Sequence, residues 1–205
     1  ITINDSRIEN CLFHMTMLDD STFRSVVFQE GSFKKLAFTN ICMEKCDLQR
    51  MEIEDFYLSE SKMIECCLRE SNIDNMLIEE DVEVTACQFV SSVLHSCTFI
   101  EAELSRTIFY GRDLQESDFT ESVLQECIFD FVNAREAIFR KADLKGSSFK
   151  NANLIEASFE KAQIEGCDFS HATLFRTNFS KVTIDRDTKL DGAYKDQLAL
   201  YPMYR

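Results

Sequence analysis

Nine cysteines and three histidines are the residues of this 205-residue chain best suited to ligate a metal or attack a substrate. The cysteines are Cys11, Cys42, Cys46, Cys66, Cys67, Cys87, Cys97, Cys127 and Cys167. None forms a C-x2-C pair, and Cys42 with Cys46 has no second pair to complete a zinc site. His14, His95 and His171 stand far apart in the chain. No Gly-rich phosphate loop, nucleophile elbow or His-based metal motif is present. Carboxylates abound, with 36 acidic against 22 basic residues and a formal charge of −14. Outward carboxylates in water keep ordinary pKa values and make poor general acids. The residues therefore predict no catalytic residues, no metal and no cofactor. The negative charge also disfavours direct nucleic-acid binding. No apolar run is long enough to span a bilayer. The odd cysteine count, with no secretory pattern, predicts a reducing cytoplasm.

What positions the cysteines is a repeat of five residues. Large apolar residues recur at Phe89, Leu94, Phe99, Leu104, Phe109, Leu114, Phe119, Leu124 and Phe129. Ala134 interrupts, and the series resumes from Phe139 to Ile184. An earlier block runs from Ile3 through Phe13, Phe23, Phe33, Met43, Ile53, Met63 and Ile73 to Ile78. From Ile78 to Val84 is six residues, so one residue is inserted near 79–83. Fifteen of the 18 Phe fall on this grid, where about one in five would fall by chance. Two positions earlier lies a grid of small residues, including Ala102, Thr107, Ser117, Ala142 and Cys167, with Arg112 as a misfit. Seven of the nine cysteines sit on it, as small buried residues do. Cys46 and Cys66 would then lie on adjacent coils, close enough for a disulfide to be conceivable.

A period of five fits neither a helix of 3.6 residues per turn nor a flat strand of period two. It needs a backbone that turns a corner every five residues, closing a square coil after twenty. The large residue points to the axis, the small one fills the space beside it, and successive coils pair as parallel strands about 4.8 Å apart. The triplets Ala142-Asp143-Leu144, Ala152-Asn153-Leu154 and Cys167-Asp168-Phe169 carry the pattern most clearly. In these the sequence resembles the pentapeptide-repeat family, over about Ile3 to Leu190. The resemblance implies an all-β, right-handed quadrilateral parallel β-helix of about nine coils, non-catalytic, over 1–190. Residues 191–205 are expected to form a cap, with a short helix from Ala193 to Tyr201 that Pro202 ends.

The grid also sorts outward side chains onto faces. One face gathers Asp19, Asp20, Glu60, Glu79, Glu80, Glu101, Asp118 and Glu121 without a base, with Asp81 at the insertion. It turns basic at Arg140, Lys141, Lys161 and Lys181. Residues 1–83 carry 18 acids and 8 bases, net −10, and the rest 18 and 14, net −4. This predicts either a solubilising face or one that displays phosphate-like charge. The pentapeptide-repeat family includes Qnr- and MfpA-type members that mimic DNA and bind type II topoisomerases. The resemblance thus implies a protein partner such as DNA gyrase or topoisomerase IV, and protection against quinolones. The alternative is a bacterial effector or scaffold module that docks another protein. A second expected contact surface is apolar: Val90, Ile108, Tyr110, Ile128 and Phe131. In the tail, Tyr194, Leu198 and Tyr201 share a helical face, predicting a cap or, as in Qnr-type relatives, a homodimer.

Overall fold

The structure is a computed structural model that describes residues 1–9, 12–14, 17–29, 31–78, 82–90, 92–95, 97–111 and 113–194. All regular pairing among them is parallel β. Bridging residues pair with their equivalents one coil away, bonding to the residues that flank them, as Asp47 does to Val26 and Phe28. One column runs Thr2, Thr22, Cys42, Lys62, Glu83, Glu103, Val123, Asp143, Gln163, Thr183, nine steps along the axis. Steps are twenty residues except Lys62 to Glu83, which is twenty-one. The inserted residue therefore lies where the sequence places it, beyond Ile78.

Four sides follow from four pentapeptides per coil. Side one is centred on Phe23, Met43, Met63, Val84 and Leu104; side two on Phe28, Leu48, Leu68, Phe89 and Phe109. Side three is centred on Phe33, Ile53, Ile73, Leu94 and Leu114; side four on Phe38, Leu58, Ile78, Phe99 and Phe119. All of these are buried in one continuous core. From Phe89 onward, sides two and four each carry a column of Phe. Within a column, rings stack 4.7–5.2 Å apart and within 16° of parallel. Across the core the two columns meet edge to face, as between Phe129 and Phe139 at 5.6 Å and 80°. Both arrangements suit the ring quadrupole. Ala134 breaks the large-residue grid without opening a hole, because Val132 beside it is larger than the usual small residue and both are buried.

The corners require a backbone conformation the sequence analysis did not identify. Among the described residues as far as Lys181, the residue two after each central one has positive φ, from Asp5 at 46° to Lys181 at 59°. A positive φ at the second central residue of a four-residue turn is the type II signature, best served by Gly. Four of the five glycines, Gly111, Gly146, Gly166 and Gly192, sit there with φ of 65–78°. That placement was the available sequence signal. From Phe89 onward most corners are closed by an N–H of the small residue bonded to the carbonyl three before it, as Ser147 to Leu144 at 2.9 Å.

The C-terminal end corrects two expectations. A second residue is inserted between Ile184 and Lys189, since Asp168 pairs with Lys189 and Thr173 with Tyr194, both twenty-one apart. Asp185 organises this insertion: its Oδ1 accepts from the N–H groups of Gly166, Asp187 and Thr188. The coil thus continues to Tyr194, and Ala193 and Tyr194 belong to the ladder, not to a helix. Leu198, Tyr201 and the rest of the predicted helix lie outside the described residues. No helix in the described residues is long and apolar enough to cross a membrane.

Candidate functional site

The cysteines are structural in their surroundings. Cys46, Cys66, Cys87, Cys127 and Cys167 share one column with Thr107, Ser147 and Thr188, at the corner between sides one and two. Each S–H or O–H donates to the carbonyl of the preceding corner one coil back: Cys46 to Phe23 at 3.4 Å, Cys66 to Met43 at 3.5 Å, Cys87 to Met63 at 3.3 Å. Thr107, Cys127, Ser147, Cys167 and Thr188 serve Val84, Leu104, Leu124, Leu144 and Ile164 in turn. A corner carbonyl buried without a donor would cost about 1–3 kcal/mol, so the small-residue grid here satisfies backbone as well as filling space. Cys46 and Cys66 are stacked as expected, but both are free thiols, as are all the cysteines described. Burial pushes Cys97, Cys127 and Cys167 up to about 12. The neighbouring Cys66 sulfur raises Cys46 further in the same direction. Such thiols are poor nucleophiles. Among the described residues no group of three or more His, Cys, Asp or Glu is arranged to hold a metal.

The acidic residues divide into three sets. Asp20, Glu60, Glu101 and Glu121 lie in one column at the corner between sides four and one, all at positive φ. Asn40 stands between the first two and donates to Asp20 at 2.5 Å. Glu121 is paired with Lys141, one coil on, at 2.5 Å, which holds its carboxyl below the ordinary range. Lys161 and Lys181 continue the column. Asp19 and Asp118 belong to the flat of side four, where Asp118 accepts from the N–H of Thr120 at 2.8 Å and so braces its own turn. Glu79, Glu80 and Asp81 lie outside the described residues, as does Arg112.

The apolar residues do come together. Ile108 and Ile128 pair across adjacent coils of side two. The rings of Tyr110 and Phe131 meet at 5.4 Å and 58°. Phe131 is 53% exposed and Tyr110 42%, while Ile108, Ile128 and Val90 are half-buried. Phe131 occupies a corner position at φ 61°, where a bulky residue is out of place. Its corner, between sides two and three, is diagonally opposite the acidic corner. The sequence analysis found both sets but not that the rod keeps them on opposite edges.

Two family profiles described as pentapeptide repeats match this chain, one of eight copies at residues 87–125 and 113–151 and one of nine copies at 139–183. With the five-residue coil, they place the chain in the pentapeptide-repeat family. Among solved structures, it is similar to a pentapeptide-repeat protein (Rfr23) from the cyanobacterium Cyanothece 51142, at 28% identity and a TM-score of 0.44. That match covers 46% of this chain and 63% of the other, so less than two thirds of that relative is represented. QnrB1 (trypsin-treated), a plasmid-mediated fluoroquinolone resistance protein, is 17% identical over 91% of this chain and 90% of its own, TM-score 0.46. HetL, from the cyanobacterium Nostoc sp. strain PCC 7120 and involved in heterocyst differentiation regulation, is 19% identical over 93% and 89%, TM-score 0.36. No curated protein matches the sequence.

Proposed function

We propose that this chain is a non-catalytic, protein-binding rod whose N-terminal half imitates the charge of a DNA duplex. The observation that carries the reading is linear charge density. Residues 1–83 make four coils, about 19 Å at the parallel-strand spacing of ~4.8 Å. With net −10 they present one negative charge per about 1.9 Å. Duplex DNA presents one per about 1.7 Å. The remaining coils, residues 84–194 at net −5 over about 25 Å, present one per about 5 Å. A DNA-binding protein, with DNA gyrase or topoisomerase IV as the specific candidate, is the partner such a density fits, in a reducing cytoplasm. The exposed acidic corner begins in this half with Asp20 and Glu60 and continues through Glu101 into the second half.

The test is binding of the full chain to purified gyrase and topoisomerase IV at about 50 and 200 mM salt. The expected result is a steep loss of affinity with salt, and a further loss on Glu60→Lys with Glu101→Lys. Lys141, Lys161 and Lys181 hold the same corner of this column at positive φ, so the double variant retains the fold. Salt-independent binding, or binding unchanged in the double variant, would remove the proposal.

A further inference from the structure

Side four carries acids on both its edges and leaves the middle of its first half uncharged. One outward column of this wall pairs Ala37 with Tyr57, Tyr57 with Leu77 and Leu77 with Thr98, and reaches a charge only at Asp118. The other outward column holds Thr39, Ser59 and Ile100. Leu77 is 37% exposed, and Tyr57 and Ile100 are half-buried. One edge is the acidic corner, here Glu60, Glu101 and Glu121. The opposite edge is the corner between sides three and four, where Asp55, Asn75 and Glu116 stand at positive φ. Asn75 donates to Asp55 at 2.7 Å as Asn40 does to Asp20, so both edges carry the same acid–amide step. Among the described residues, Asp55, Glu60, Glu101 and Glu116 enter no ion pair. Positions 79, 80 and 96 of this face lie outside the described residues.

We propose that side four, over the coils from Tyr57 to Ile100, is the docking face for a cationic amphipathic helix of a partner protein. The main chain of this wall is already bonded to the coils on either side, so no strand can add to it and the contact is made through side chains. A helix makes such a contact with one apolar stripe. Residues three and four apart on a helix rise by about 4.5 and 6 Å, against a coil spacing of ~4.8 Å. A stripe laid along the rod therefore meets one floor position per coil. Lys and Arg beside the stripe reach the two acidic edges, their stems covering apolar floor. Charge excludes the other occupants: a second copy brings another −14, and both edges repel nucleic acid. Helices that read DNA enter the groove between two phosphate strands. The inference thus rests on the duplex-like reading of the rod, and names the wall that plays the groove.

The test is calorimetric titration of the full chain with two designed helical peptides of equal positive charge, at about 50 mM salt. One carries a Leu stripe between its Lys flanks and the other a Gln stripe. The Leu peptide is expected to bind about tenfold tighter. Leu77→Ser should remove most of that preference, the range of a well-placed apolar anchor. Ser158 holds the same column further along, so the fold accepts a hydroxyl there, with thermal unfolding as the check. Glu60→Lys with Glu101→Lys weakens both peptides. Tyr110→Ser with Phe131→Asn, away from this wall, leaves the preference intact. Failure of the Leu peptide to bind, equal affinity of the two peptides, or a preference that survives Leu77→Ser overturns the proposal. So does a preference lost in the Tyr110 and Phe131 variant. No topoisomerase enters this titration, so its failure and a failure to bind gyrase are told apart.

Discussion

Residues 1–78 and residues 82–194 keep the same period of five but turn their corners differently. In the first region the ladder runs straight through corners, so that Ser32–Glu44 is a single strand of 13 residues across two of them. In the second, hydrogen-bonded turns close most corners, the first of them from Ser92 to Phe89. A small residue at the position two before the central one accompanies the closed turn but does not suffice for it. In the first region that position includes Leu36, Ile41, Met51, Phe56 and Met76, all buried. In the second it is mostly Ala, Ser, Thr or Cys, and the two corners that lead into Val132 and Val182 make no such turn bond. Each hydrogen-bonded turn among the described residues has a small residue here, yet Ser61 and Ser71 in the first region are small and make no such bond. Core packing follows the corners. The first region has tilted and edge-on Phe contacts of 4.9–6.4 Å at 44–88°. The second has regular stacks. Net charge does not separate the two regions, since each carries −6, and a further −3 stands between them at Glu79, Glu80 and Asp81.

The comparison can be broken first at its ring stacks. Phe129→Ala deletes a ring stacked on both Phe109 and Phe149, and is expected to cost about 3–5 kcal/mol in urea unfolding. Because a solenoid couples mainly nearest coils, hydrogen exchange should show the loss concentrated in coils beside residue 129. A smaller effect tests the corner rule itself. Ala152→Met places a first-region residue in a closed corner, with an expected cost of about 1–3 kcal/mol and lost exchange protection at the residue 152 amide, which now bonds to Phe149.

The hydroxyls sharpen the contrast further. Ser71 is buried; its Oγ accepts from the N–H of Met51 at 3.2 Å and donates to the carbonyl of Leu48 at 2.8 Å. Ser71→Ala strips both and should cost about 1–3 kcal/mol. Ser122 donates only to the Phe119 carbonyl, which its own N–H already serves, so Ser122→Ala should cost less. A ratio near one in equilibrium unfolding would contradict the idea that open corners depend on side-chain donors. The smallest effect is electrostatic. Three backbone N–H groups, that of Gly166 first, hold the Asp185 carboxyl below the usual aspartate range. A carboxyl so depressed supports the fold above its unfolded pKa and loses that support as pH falls through the folded one. Acid titration by NMR should therefore loosen 185–194 before the central coils, and Asp185→Asn should remove that early step.

The repeat was legible because every fifth side chain must enter one narrow core, and burial imposes its rule on residue type. Phe109, Leu114, Phe119 and Leu124 stand in line in the sequence and occupy four walls of a coil. The first insertion was legible for the same reason, as a six-residue gap between Ile78 and Val84. The second was not, because Asp185 to Thr188 are polar and Leu190 looks like a chance residue until Lys189 is seen paired with Asp168. Glycine placement at the corners could have been read from the sequence but was passed over; the Glu, Lys and Arg that share the position carry no sign of a left-handed backbone.

Composition and spacing by themselves determined a four-walled parallel coil, its acid-rich first half and the absence of a recognisable reactive motif. The tertiary structure decided which outward residues keep company. Side chains one apart on a wall point to opposite faces of it, as Asp118 and Phe119 do, while those twenty apart sit one coil spacing from each other. Only the closed coil shows that Glu101 and Phe131 lie on opposite corners, or that Phe131 and Gly111 share one.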